Sequence, residues 1–220
     1  MTAACEFAER LRDRIEAAAA AGGHSRGWRL LYSPASVLDG AEIAFVGLNP
    51  GGEVAPAGHA GLATERGSAY TDERWPHCGV DCPAGEAPLQ LQVRRLFEGL
   101  GVRPETVLAG NLVPFRSPDW SGLRGKPEAL RFGRGLWAEI LGRARPRIVV
   151  AMGGTTRRVL GQILGAGAEH RVPLGWGRVA GTRARHPHGV LVGLPDLLRF
   201  RVLGRADSSP GLTRLLEGLA

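Results

Sequence analysis

The sequence predicts an α/β protein: a three-layer sandwich in which helices flank a central, mostly parallel sheet of four strands. Three observations carry that expectation. Four short apolar runs, at residues 43–48, 106–113, 146–152 and 190–195, each lead into glycine, proline or polar residues. Segments with apolar residues at helical spacing lie between them. The strand runs are apolar at successive positions, as in strands covered on both faces, and do not alternate as a half-exposed sheet would.

The elements follow in order. Residues 4–20 predict an amphipathic helix stopped by Gly22-Gly23. Glu6, Glu9 and Asp13, with no long apolar stretch, set it apart from a signal peptide. Residues 43–48, IAFVGL, predict a buried strand that runs into Asn49-Pro50-Gly51-Gly52. Residues 53–85 are rich in Gly, Ala, Pro and His without periodicity, and predict a long active-site loop. LQLQVRRLFEGLG at 89–101 predicts a helix with a glycine stop, and residues 106–115 a second strand and its polar loop. Residues 127–141 predict a helix with Trp137 on its apolar face, 146–152 a third strand ending at Gly153-Gly154, and 155–164 the next helix. The fourth strand, 190–195, precedes Asp196 to Phe200, and the last helix covers 211–219. With no repeat or linker, residues 1–220 are expected to form one domain, with 1–24 as its N-terminal helix. Ligands bind sheets of this class at the carboxyl ends of the strands. Asn49, Asn111 and the 196–199 segment would meet there.

Hydrophobic residues make up 44% of the chain. No apolar run approaches the roughly 18 residues of a membrane span, so a cytoplasmic protein with no membrane partner is expected. The three cysteines fit a reducing compartment better than a disulfide framework. Cys78, Cys82 and His77 offer three candidate ligands without a clear fourth, so no metal is expected. The formal net charge is +7 and the pI about 10.5, carried almost wholly by arginine. That balance points to a polyanionic partner, nucleic acid first, or equally to a solvated basic surface.

Four places, in order, carry a family resemblance: GLNPGG at 47–52, AGNLVPFRSP at 109–118, RIVVAMGGTTRRVLG at 147–161 and VLVGLPDLLRF at 190–200. Together they resemble the uracil-DNA glycosylase superfamily over roughly residues 40–220. In the fourth element the usual histidine is absent. Leu194-Pro195-Asp196 stands against a His-Pro-Ser pattern, which leaves Asp196 as the polar side chain there. His186-Pro187-His188-Gly189 is a second placement, but it precedes the strand instead of following it. The chain also lacks the four cysteines that hold an iron–sulfur cluster in some branches.

The resemblance implies a monofunctional glycosylase that flips uracil out of DNA and hydrolyses its glycosidic bond, working as a monomer without a cofactor. Asn49 would orient the attacking water, with Asp196 as a second catalytic group or as a cap for the helix that follows. Gly47, Leu48, Pro50, Gly51 and Gly52 would shape the platform beneath the base. Asn111 would read the edge of uracil, and Tyr70 or Phe115 would wall or stack on it. Leu197 and Leu198 would wedge the stack unless they are core. Arg116, Ser117, Arg199 and Arg201 would meet DNA phosphates. Trp75 is expected in the core under the long loop. The alternatives are a glycosylase for hypoxanthine, xanthine or a G:T mismatch, and a DNA-binding relative of weak or absent activity.

Overall fold

The computed structural model describes residues 3–52 and 61–219. Its centre is a six-stranded sheet ordered β4-β1-β5-β8-β7-β6, flanked by helices on both faces. The four expected strands form its parallel half: β1 (Ile43–Gly47), β4 (Leu108–Asn111), β5 (Ile148–Met152) and β8 (Gly189–Leu194). β1 pairs with β4 and β5, and β5 with β8, all parallel. These strands are buried along nearly their whole length, which is why they read as continuous apolar runs.

The sheet has two strands beyond the expected four. β6 (His170–Pro173) and β7 (Ala180–His186) add an antiparallel extension at the β8 edge. Their sequences, HRVP and AGTRARH, carry arginines and lack an apolar run, because much of this outer flank is partly exposed. Pro187-His188 is the two-residue connection of the β7–β8 hairpin, with His186 opposite Gly189.

One face of the sheet packs on α1 (Ala3–Ala21), α4 (Lys126–Ala144) and α5 (Gly154–Leu164). Leu11, Ile15, Leu136, Trp137 and Leu160 meet Val46, Val149 and Leu191 there. The other face packs on α3 (Pro88–Gly99) and α6 (Ser209–Leu216) through Val93, Leu96, Phe97, Leu212 and Leu215, with Phe45, Val150 and Val192 from the strands. At about 25 cal/mol per Å², burial of these two apolar layers is the dominant favourable contribution to folding. Among the described residues no helix is long and apolar enough to cross a membrane.

The expected 53–85 loop is partly ordered into structure. Residues 53–60 lie outside the described ones. Beyond them come α2 (Ala69–Asp72) and a short hairpin of β2 (Pro76–His77) and β3 (Val80–Asp81). The segment 28–32, WRLLY, runs along the outer edge of β4: Asn111 N–H donates to Leu30 O at 2.8 Å and Tyr32 N–H to Ala109 O at 2.8 Å. Gly110 permits this approach, since a Cβ there would lie 2.5 Å from the Leu30 carbonyl oxygen.

Candidate active site

β1 and β4 run side by side with Gly47 opposite Asn111, so the loops leaving them open on the same rim. A cavity of about 300 Å³ lies there. Asn49 and Asn111 line it from the two strand ends; Tyr32, Tyr70 and Trp75 form an aromatic wall, and Met152 and Leu198 close it from β5 and from the turn after β8.

Asn49 is held by acceptors. Its Nδ2 donates to Ser117 Oγ at 2.9 Å and faces the carbonyl oxygens of Phe115 and Pro50 at 3.4 and 3.2 Å. Carbonyl oxygens only accept, so the amide orientation is fixed by its surroundings. Ser117, itself buried, donates its hydroxyl to the Asp119 backbone carbonyl at 2.6 Å. Among the described residues nothing donates to Asn49 Oδ1, which is left as an acceptor for an incoming group.

Asn111 is almost wholly buried. Its Nδ2 donates to Arg29 O at 3.2 Å, while Trp137 Nε1 donates to its backbone carbonyl at 2.7 Å. The α4 indole thus pins the strand end that carries it. A Cβ at position 47 would sit 3.6 Å from Asn111 Oδ1 and 3.3 Å from Met152 Cε, so Gly47 keeps room for a ligand edge. Leu48, Gly51 and Gly52 line the same cavity, whereas Pro50 is buried beneath it and accepts from Ser117 N–H through its carbonyl.

Two guanidinium groups border the cavity. Arg29 forks onto Glu73 at 2.8 and 2.6 Å, donates to Leu31 O, and lies over the Tyr32 ring. Arg116 is buried too, donates to Gly51 O, and leaves its Nε without a partner among the described residues. Burial lowers the Arg116 pKa from its ordinary value, with the nearby Arg29 charge acting in the same direction. Burial raises the Tyr32 pKa, and raises that of Tyr70 well above the ordinary phenol, so both rings present neutral hydroxyls. Among the described residues Glu73 answers Arg29, while no carboxylate forms an ion pair with Arg116.

Several expected site residues lie elsewhere. Asp196 is exposed, and its Oδ1 accepts from the N–H groups of Leu198 and Arg199 at 2.9 and 3.3 Å. It caps the turn after β8 and does not line the cavity, because those two amides turn its carboxylate back onto its own loop. The Phe115 ring is in the α1/α4 core, stacked on His24 at 4.0 Å and on Phe132 at 5.5 Å, so it is no wall for a ligand; only its carbonyl serves the site. Leu197 is fully buried in core, whereas Leu198 is 44% exposed at the cavity rim. Arg199 and Arg201 are exposed, and Arg199 covers the Phe200 ring. Arg116 and Ser117 are buried in the wall and not displayed on an outer surface. The 186–189 string sits where β8 begins, at the opposite end of the sheet from the cavity.

The sequence reading missed Arg29, Tyr32, Glu73 and Met152, and assigned Trp75 to the core alone. Trp75 packs on Tyr32 and Tyr70, with ring centroids 5.4 Å from each, and donates to Glu73, yet it faces the cavity. A wider groove of about 750 Å³, lined by Arg157, Arg171, Arg178 and Phe200, lies beside the turn after β8. It lacks the converging carboxamides. Among the described residues no group of His, Cys, Asp and Glu is arranged to hold a metal ion. Scans of the chain against models of known protein families and against curated proteins gave no match.

Proposed function

We propose that the chain is a DNA glycosylase of the uracil-DNA glycosylase type, with that family's fold, hydrolysing the N-glycosidic bond of deoxyuridine in DNA to leave an abasic site. One observation carries this reading: two neutral carboxamides from adjacent parallel strands, Asn49 and Asn111, line a single cavity with aromatic walls. Breaking the N1–C1′ bond leaves positive character on the sugar and sends the electron pair into the base. Asn49 Oδ1, an uncommitted acceptor on a fixed amide, holds the water that attacks C1′. It orients that water without bringing a second negative charge beside the DNA. Asn111 meets the base edge, Tyr32, Tyr70 and Trp75 enclose the ring, and the Arg116 guanidinium lining the cavity favours the leaving anion. Leu198 at the rim fills the gap left in the base stack.

The test is strand scission at alkali-labile sites in a uracil-containing oligonucleotide. Cleavage by the wild type that is lost in Asn49→Ala is expected; no cleavage with enzyme in excess overturns the reading. Asp196 facing outward favours a second reading, a glycosylase for another deaminated base. With no carboxylate or imidazole from the 194–200 turn in the cavity, a guanidinium would serve any oxo-purine leaving group as well as uracil. Oligonucleotides carrying hypoxanthine, xanthine or a G:T pair separate the two, and uracil as best substrate removes the second.

A further inference from the structure

Two depressions share walls at the carboxyl ends of β5 and β8. Met152 and Leu198 border the base cavity, while Gly154 and Phe200, just past each of them in the chain, border the groove of about 750 Å³. The outer wall of that groove is the antiparallel extension: Arg171 of β6, Arg178 in the turn that follows, and Thr182 of β7. Its charges are unequal. Glu169 is the one acidic residue in the lining, and Arg157 takes it up. Arg171 donates to a neutral group, the Arg178 carbonyl, at 2.8 Å. Among the described residues neither Arg171 nor Arg178 has an ion pair, and both side chains are exposed. Gly193 lets Arg157 lie across the floor, since a Cβ there would be 2.4 Å from both Arg157 Cδ and Thr182 Oγ1. Val179, Leu194, Pro195 and Phe200 make another part of the lining apolar. The Phe200 ring is half-buried, stands edge-on to Trp176 at 6.0 Å between centroids, and has the Arg199 guanidinium 5.2 Å from its own centroid.

We propose that this groove binds the unpaired strand that continues from the nucleotide in the base cavity, with phosphates on Arg171 and Arg178 and a neighbouring base on Phe200. Two exposed guanidiniums that no carboxylate answers call for an anion, and the forked donors of arginine match phosphate oxygens. The apolar part of the lining, with its aromatic ring, calls for a flat apolar face as well. Single-stranded nucleic acid offers both to one groove, whereas a duplex keeps its base faces stacked inside. Continuity with the cavity decides which stretch enters. The turn at residues 195–200 is the partition between the two depressions and carries Leu198 at the rim, so a strand leaving the cavity over Leu198 enters the groove next. The placing of that strand beside an extruded base rests on the glycosylase reading; the strand groove itself does not.

The experiment measures, by fluorescence anisotropy, binding of a uracil-free oligothymidylate of about 12 nucleotides to the intact protein, a length within the span that such grooves cover. Wild type is compared with the Arg171→Gln/Arg178→Gln double variant, whose changed residues are exposed, and with Phe200→Leu, Phe200→Tyr serving as the conservative control. The wild type is expected to bind the single strand more tightly than a duplex of the same length. The double variant is expected to lose about 1.4 units from the slope of log affinity against log salt, the share of two phosphates at about 0.7 each. Phe200→Leu is expected to bind about tenfold more weakly at an unchanged slope, the worth of one stacked base, and Phe200→Tyr to bind as the wild type does. No binding, or the same affinity and slope in all four proteins, overturns the groove. Tighter binding of the duplex overturns the unpaired strand. In a parallel arm a uracil oligonucleotide is shortened up to the uracil from one end or the other, and kcat/KM is expected to fall for one end only, in the wild type and not in the double variant. Cleavage indifferent to both ends overturns the continuity with the cavity. Groove-dependent binding in a protein that never cleaves uracil DNA overturns the glycosylase reading and leaves the groove standing.

Discussion

At the scale of single residues, the site depends on what holds Asn49. Its amide is oriented by one hydroxyl and two carbonyls, so its partner Ser117 is a positioning residue and not a catalytic one. Asn49→Ala is expected to lower kcat by about 10²-fold or more, as removal of a group acting on the reacting atoms does. Ser117→Ala removes one hydrogen bond worth about 1 kcal/mol, so kcat should fall about fivefold with KM little changed. Steady-state kinetics on one uracil oligonucleotide checks both. A different residue contributes to acid sensitivity. His186 is buried, its Nε2 has no partner among the described residues, and burial, then His188, lowers its pKa. The unfolded chain binds that proton at about pH 6.5, the folded one only at lower pH. Stability is therefore expected to fall as pH drops below about 6.5, and less so in His186→Phe, as urea unfolding at pH near 7.5 and 5.5 would show.

At the scale of elements, the sheet edge and the site share a segment. WRLLY at 28–32 pairs with β4 and in doing so delivers Arg29 and Tyr32 to the cavity. Gly110→Ala is expected to push this segment off β4, with a loss of about 1–3 kcal/mol in chemical denaturation, because its Cβ meets backbone that cannot swing aside. The same comparison shows what a sequence can disclose. The four parallel strands and five helices were legible because burial on both faces, or along one stripe, leaves a periodic apolar signature. Asn49 and Asn111 were marked by the four ordered elements of the resemblance, since a turn or strand-end cap would account for either alone, and both line the rim cavity. Strands β6 and β7 were not, since an outer flank that stays partly exposed tolerates Thr182, Arg183 and Arg185. Arg29 and Tyr32 were hidden for another reason. Nothing local in WRLLY says that it pairs with a strand some eighty positions away. Asp196 misled because a carboxylate after a strand serves a turn as readily as a reaction.

At the scale of the whole molecule, the proposed function gives the formal net charge of +7 a role in steering encounter with a polyanion, with the rim cavity selecting what stays. If Z phosphates are paired, the slope of log affinity against log salt is expected near −0.9Z for duplex and −0.7Z for single-stranded DNA, and fluorescence anisotropy on the two forms would report it. An affinity indifferent to salt would remove arginine–phosphate docking from the account. On the proposed function the widely spread arginines would supply this attraction without fixed partners, and Arg199 and Arg201, which are exposed in the turn that carries Leu198, would add to it.

The strip of chain laid along β4 does two jobs with one set of backbone contacts. It walls the cavity, and it blocks the outermost parallel strand from recruiting another chain, a hazard that bare strand margins invite. Any lesion that peels it away would thus disable and endanger the protein together. Loss of ligand recognition and onset of self-association should share a single midpoint, with no window in which an intact but inactive species accumulates.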